Sequence, residues 1–286
     1  MARGDTTSRA LVLGGGGIAG VAWEIGLLSG LAAHGIDVRS ADLVVGTSAG
    51  SVVGALLCGG RDLEELYAAQ LEPLPADEPT VDFDGMALMT AIGAALAGTA
   101  GEQEARARVG ELALHADTVP EADRRSAIAS RIGAPSWPAQ RLVVTAVDTA
   151  DGAFTSFDAG SGIALLDAVT ASCAVPGVWP PITIGSRRYM DGGMRSATNA
   201  DLAAGHGRVL VVAPVEGFAD SPLGPGLPAE LDTLRRDGEV HLVVADEAAR
   251  AAFGTNPLDP RTRAPSARAG RAQADAVVAG LRGFWG

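Results

Sequence analysis

Residues Leu43–Ser51 read LVVGTSAGS, an apolar, β-branched run that ends on a serine framed by Gly46 and Gly50. In a chain with 38 glycines, a G-x-S-x-G match arises by chance roughly one time in four, so its setting must carry the argument. The run 42–46 has the pattern of a buried parallel strand. Residues 51–58, SVVGALLC, are apolar and stop at Gly59-Gly60, which predicts a helix with a glycine terminus. Ser48 therefore falls on a strand-to-helix turn. Gly46 and Gly50 remove the side chains that would crowd such a turn. The helix N-terminus behind the hydroxyl favours negative charge there. These features make Ser48 a candidate nucleophile, and they leave open what takes its proton.

Upstream, 10–13 (ALVL) predicts a first strand, 14–20 (GGGGIAG) a loop, and 21–34 a helix ending at Gly35. Together with the serine strand this makes a βαβ unit with a parallel sheet. Gly15 to Gly20 also fits G-x-G-x-x-G, a dinucleotide fingerprint that requires an acid at the end of the next strand. That strand ends instead in GTSAG. Successive glycine N–H groups beside a nucleophile have a second use, the stabilisation of a tetrahedral oxyanion, and this use fits the pattern better.

For the base, a Ser-His-Asp triad would run Ser48, Asp191, then His206 or His241. His34 and His206, however, sit beside glycines at helix ends, where histidine caps carbonyls. His115 falls in a helical stretch and His241 in what reads as an inner strand. Asp191, in YMDGG, stands at a strand end before Gly192 and Gly193. In a partly dry site its carboxylate could serve as the base itself; the plainer reading of Asp-Gly is a hairpin turn.

The whole chain bounds these readings. It has 286 residues, 47% hydrophobic and 20% charged, with a formal net charge of −12 and arginine as its sole strong base. An acidic surface without a basic stripe argues against nucleic acid as a partner and gives no long-range pull toward anionic lipid. Cys58 and Cys173 lie in apolar stretches and give no disulfide framework. No apolar run reaches membrane-spanning length, and the first residues lack a signal-type apolar core, so the expectation is a cytoplasmic protein. No cluster has metal-ligand spacing, so neither metal nor cofactor is expected. Further on, 72–85 reads as a loop, 86–96 as an apolar helix broken at Gly93, and 102–116 and 120–132 as helices. Packing within this insertion is the favoured reading of 86–96, with a lid or lipid-facing surface as the alternative. Strands follow at 141–147, 153–157, 209–213 and 239–245, a hairpin around 182–190, a helix at 163–172, a Gly/Pro-rich loop at 217–228 and a closing helix at 266–282.

Four motifs in order, GGGGIAG, GTSAG, the block ASCAVPGVWPP at 171–181 and DGG, resemble the patatin-like phospholipases over about residues 10–215. The segment 256–260, NPLDP, is similar to bacterial members. The resemblance implies a three-layer α/β/α fold with a mostly parallel sheet. It implies a domain over 8–250 with a helical insertion at 72–139, and a C-terminal extension at 251–286 packed on it. It also implies a Ser48–Asp191 dyad without catalytic histidine, and an oxyanion hole of N–H groups around Gly15, Gly16 and Gly17. Trp179 would lie in the acyl pocket. The implied activity is hydrolysis of a lipid or acyl ester, with transient contact to a membrane or micelle surface. The alternatives are an α/β-hydrolase with a histidine triad, and a non-catalytic nucleotide-binding protein. One departure stands out: the family's cation before the last loop glycine is Ala19 here, and Arg195 is the residue placed to substitute.

Overall fold

The computed structural model describes residues 7–73, 85–133 and 136–285. The predicted loop at 72–85 falls largely outside the described residues. Among them, the sheet strands are β1 (Arg9–Leu13), β2 (Leu43–Gly46), β3 (Arg141–Asp148), β4 (Phe154–Phe157), β5 (Ile182–Ile184), β6 (Arg187–Asp191), β7 (Arg208–Ala213) and β8 (Glu239–Val244). Their order is β5-β6-β3-β2-β1-β7-β8, with β4 paired to β3. The five strands from β3 to β8 run parallel, and β4, β5 and β6 add antiparallel pairs at one end.

The strands carry unbroken apolar runs because both faces are covered. Leu11, Leu13, Val44, Val144, Leu210 and Val212 enter one core. Their neighbours Val12, Val45, Val143, Val209 and Val211 enter another. The first core lies under α1 (Gly17–Ala33), α2 (Ala49–Cys58), α3 (Leu63–Leu71) and α10 (Arg263–Trp285). The second lies under α8 (Leu227–Leu234). The result is a three-layer α/β/α fold. α4 (Gly85–Ala95), α5 (Glu102–His115) and α6 (Glu121–Ile132) stand between α3 and β3, α7 (Leu165–Ser172) follows β4, and α9 (Glu247–Phe253) follows β8.

Several expectations change. α1 begins at Gly17, inside the predicted glycine loop, because Gly17 takes a left-handed φ of +64° that turns the chain straight into the helix. α4 runs through Gly93 unbroken and packs Leu88 and Ile92, together with Leu96 in the turn after it, against Val109 and Ala113. The stripe packs within the insertion, on α5, while Met86 and Met89 remain exposed. β8 is an edge strand, not an inner one. α8 and α9 had no counterpart in the sequence reading.

α10 lies along α1 at backbone contact. A Cβ on Gly26 would stand 2.1 Å from the Ala267 carbonyl oxygen, and one on Gly270 2.2 Å from that of Trp23. Between these contacts Trp23 Nε1 donates to Gln273 Oε1 at 2.9 Å. Gly270→Ala is therefore expected to cost about 1–3 kcal/mol in a denaturant melt, because backbone has to move. Gly93→Ala, whose added methyl meets nothing, is expected to be neutral or stabilising by up to about 1 kcal/mol. Equal effects of the two changes would contradict this packing.

Candidate active site

β1 and β2 pair with Leu13 opposite Gly46, so the glycine turn and the serine turn leave the sheet side by side at the carboxyl ends of the strands. Open α/β sheets bind ligands at that edge, near the point where the strand order reverses. The two turns are bonded to each other: Thr47 N donates to Leu13 O at 3.0 Å and Gly50 N to Gly14 O at 2.9 Å. A Cβ on Gly50 would stand 2.0 Å from Leu13 O, and one on Gly46 2.6 Å from Gly50 O. Close approach explains both glycines.

Ser48 has φ +52° and ψ −114°, a conformation that costs a non-glycine residue about 1–3 kcal/mol and persists only when its surroundings hold it. Here Ser48 N donates to Ser172 Oγ at 2.9 Å. Ser48 O accepts from Ser51 Oγ at 2.6 Å and from the Cys173 thiol at 3.3 Å. The backbone is clamped while the hydroxyl points into a cavity of about 310 Å³.

Asp191 ends β6, opposite Ala146 of β3. Its N–H donates to Ala174 O at 2.9 Å, and its Oδ1 accepts from Gly193 N at 2.7 Å. Residues 172–174 thus hold the serine backbone with two side chains and the aspartate with a carbonyl. Full burial pushes the Asp191 carboxyl up to about 6; the facing Ser48 hydroxyl, the Gly193 N–H and the Arg124 guanidinium each pull it partly back. Gly192 is required because a Cβ there would meet Thr145 Oγ1 at 2.2 Å.

A residue that sequence reasoning missed joins the two turns. Asn199, left-handed at φ +49°, places Nδ2 2.9 Å from Ser196 O, 3.1 Å from Thr47 Oγ1 and 3.2 Å from Gly192 O. Its signal in the sequence was slight: an amide eight residues past the aspartate, of a type that tolerates the left-handed region.

Two expected sites shift. The Gly15 N–H donates to Ala197 O at 2.7 Å, so Gly15 forms wall and not an oxyanion donor. The N–H groups of Gly16 and Gly17 have no protein acceptor among the described residues, and neither has Ala49, which follows the serine and also lines the cavity. Arg195 turns away from the cavity. It binds Asp201 through both nitrogens at 2.9 and 2.7 Å, and its guanidinium lies 4.4 Å from the Phe154 ring centre. The cations at the cavity are Arg124 and Arg131 of α6. Trp179 lines the wall, with Arg124 3.9 Å from its ring centre. Above Ala19, the turn at Pro257 and Leu258 closes over the helix start, with Ala19 N donating to Pro257 O at 2.9 Å. Gly20 packs against Ala49 and Pro214.

None of the four histidines lines the cavity. His34 pairs with Asp275 at 2.7 Å instead of capping a carbonyl, and His206 and His115 bond the carbonyls of Ala203 and Glu111. His241 lies against Phe284. Among the described residues no group of three His, Cys, Asp or Glu side chains could hold a metal ion, and no helix is long and apolar enough to cross a membrane.

The sequence profile described as patatin-like phospholipase matches residues 11–204, and the chain belongs to this family of lipid acyl hydrolases. Among solved structures it is similar to VipD from Legionella pneumophila, at 12% identity and TM-score 0.46, over 98% of this chain and 67% of that one. It is also similar to the type III effector protein ExoU, at 16% identity and TM-score 0.40, over 96% of this chain and 54% of that one. ExoU of Pseudomonas aeruginosa in complex with SpcU aligns at 18% identity and TM-score 0.40, over 99% of this chain and 53% of that one. This chain thus spans about half the length of ExoU. No curated protein matches the sequence significantly.

The burial of Asp191 has a measurable consequence. Its folded pKa, near 6, exceeds the ordinary carboxylate value near 4, so the folded state holds the extra proton between those pH values. Stability contributed by this group is full below about pH 4 and lost as pH rises through about 6, on the order of 2–3 kcal/mol. Asp191→Asn should therefore be more stable than the native protein at pH 8 and no more stable at pH 4, by thermal melts at both. An equal difference at both pH values would contradict a strained charge at this position.

Proposed function

We propose that the protein is a serine acyl hydrolase that cleaves carboxylic esters of lipids through Ser48 and Asp191, in the manner of a phospholipase A or lysophospholipase. One observation carries the proposal: a clamped, left-handed serine faces a fully buried carboxyl with raised basicity, inside an apolar cavity that holds no histidine.

The steps follow from these groups. Asp191 takes the proton of Ser48 Oγ as that oxygen bonds the ester carbonyl carbon, and the carbonyl electron pair moves onto oxygen. The N–H groups of Gly16, Gly17 and Ala49 receive this oxyanion, near the N-termini of α1 and α2. When the intermediate collapses, the alcohol leaves with the proton from Asp191, and the acyl group remains on Ser48. Water then gives a proton to Asp191 and attacks the acyl carbon; Ser48 departs with that proton and the carboxylic acid is released. No step requires a cofactor.

Lipid as substrate is supported by the family and by the cavity wall, where Trp179 and Leu258 are backed by Val178 and by Leu88 of α4. Gly85–Ala95 carries no charge, and its exposed Met86 and Met89 suit transient contact with a membrane or micelle surface near the cavity. The reading places the family core within 8–250, with 251–286 packed on it.

The test is the pH profile of kcat/KM on a micellar lysophospholipid. An acid limb near pH 6 is expected, with Ser48→Ala and Asp191→Asn each lowering kcat/KM by roughly a thousandfold or more. Alanine at His34, His115, His206 or His241 should leave the limb in place. Loss of turnover on replacing one histidine in a folded protein would overturn the carboxylate as base.

A further inference from the structure

A carboxyl that the mechanism does not use lies behind the site, in the layer of the second core. Glu230 of α8 is fully buried. Its Oε2 accepts from Thr198 Oγ1 at 2.5 Å, and the Ser196 hydroxyl also bonds the carboxyl. Its Oε1 meets no donor among the described residues. Beyond these hydroxyls Glu230 is hydrogen-bonded to a second carboxyl, Asp201, which Arg195 grips through both nitrogens. Two carboxyls in hydrogen-bond reach are satisfied when one carries the proton and donates it to the other. Arg195 keeps Asp201 charged, so the proton sits on Glu230. The segment that Glu230 holds is shared by the three turns of the site. Ala197 O accepts from Gly15 N at 2.7 Å, and Thr198 O accepts from Thr47 Oγ1 at 3.2 Å. Asn199 Nδ2 donates to Gly192 O at 3.2 Å. Ser196 Oγ accepts from Thr198 N at 3.2 Å and from Asn199 N at 3.1 Å, which folds the segment into one tight turn. The glycine, serine and aspartate turns therefore lean on residues 196–199, and Thr198 ties that segment to α8.

We infer that Glu230 is a positioning residue for the hydrolysis proposed above: as a neutral acid it bridges Thr198 and Asp201 and so fixes the segment 196–199. The inference rests on that proposal. Glu230 touches no reacting atom; it acts through Thr198 on the turns that carry Ser48, Asp191 and the oxyanion donors. Burial pushes its carboxyl up to about 7 against the Thr198 and Ser196 hydroxyls, and the Asp201 charge adds to the rise. Burial also works against the Asp201 charge, but the Arg195 guanidinium outweighs it and holds Asp201 below the ordinary carboxylate value. The charged groups around Glu230 are thus Asp201 and Arg195. β8 offers this core Val240 and Leu242, while its His241 lies against Phe284. On α8 itself Asp232 pairs with Arg235 at an exposed position. Below about pH 7 the trio of Arg195, Asp201 and Glu230 is neutral. Above it the bridging proton is lost and two carboxylates repel each other in the core. The segment 196–199 then loosens from α8, and the Gly15 turn loses a fixed acceptor at Ala197 O. Misplaced oxyanion donors weaken the transition state and leave the apolar cavity as it was, so kcat falls and KM holds.

The experiment measures kcat and KM separately for fatty acid release from a micellar lysophospholipid, from about pH 5 to about pH 9. In the native protein kcat should rise through about pH 6 with Asp191, then fall about fivefold or more above about pH 7, with KM changing less than about twofold. Glu230→Leu should lower kcat by about tenfold or more at the native optimum. Glu230→Gln should restore most of that loss and abolish the alkaline fall, because its amide accepts from Thr198 and donates to Asp201 at every pH. Asp201→Asn removes the like charge and frees Arg195 to act on Glu230, so the fall should move to lower pH by about one unit. A native profile without the fall, or a fall that Glu230→Gln leaves unchanged, overturns the inference. If Glu230→Gln does not fold, Asp201→Asn decides, and a fall that stays at the native pH overturns it. A loss carried by KM with kcat intact contradicts positioning as well. Release of no fatty acid by the native protein at any pH defeats the hydrolase proposal and this inference with it. Release with a profile that neither substitution moves defeats the inference alone.

Discussion

The serine turn hangs on the glycine turn, and the rest of the site follows from that contact. Leu13 O and Gly14 O accept from Thr47 N and Gly50 N, and Gly50 leaves no room for a Cβ between α2 and β1. Two adjacent parallel strands are thereby forced to end their turns within one hydrogen bond of each other. The helix that begins at Ala49 and the helix that begins at Gly17 present their N-termini to one cavity. The positive φ of Ser48 is a consequence of this crowding. Helix and strand each take their regular geometry, and the one residue between them absorbs the mismatch.

The second constraint is electrostatic. Asp191 sits fully buried among groups that only partly offset its desolvation, and Arg124, the cation that acts on it, is drawn over the Trp179 ring. A closer ion pair would hold the carboxyl at an ordinary acidity and make it a poor base. The chain keeps a carboxylate basic enough to take a proton and accepts less stability above neutral pH. Asn199 makes the arrangement rigid, because one amide reaches the Thr47 hydroxyl beside the serine and the Gly192 carbonyl beside the aspartate.

Much of this was legible in the residues. Apolar runs marked β1, β2, β3, β7 and β8, and the glycine spacings marked the turns at Ser48 and Asp191. What escaped had physical reasons. α8 follows a Gly/Pro-rich stretch and is short, so local pattern gave it little weight; its burial against the second core decides it. α1 starts inside a glycine run that propensity alone reads as loop, because tertiary contacts with Pro257 and Leu258 fix it. α4 is apolar almost throughout, which left packing within the insertion and a lipid-facing surface both open; one stripe of it packs, and Met86 and Met89 are exposed. Arg195 follows the DGG motif by two residues and invited a role in the site, but Asp201 is close enough to take both its nitrogens.

The claim on which the account turns is that Asp191 activates Ser48 directly. Labelling with an active-site fluorophosphonate, followed by peptide mass spectrometry and by the rate of adduct formation across pH, tests it most directly. The account predicts a single adduct on Ser48, forming faster as pH rises through about 6 in the native protein and slowly, without that rise, in Asp191→Asn. An adduct on another residue, or labelling of Asp191→Asn at the native rate with the native pH dependence, would contradict it.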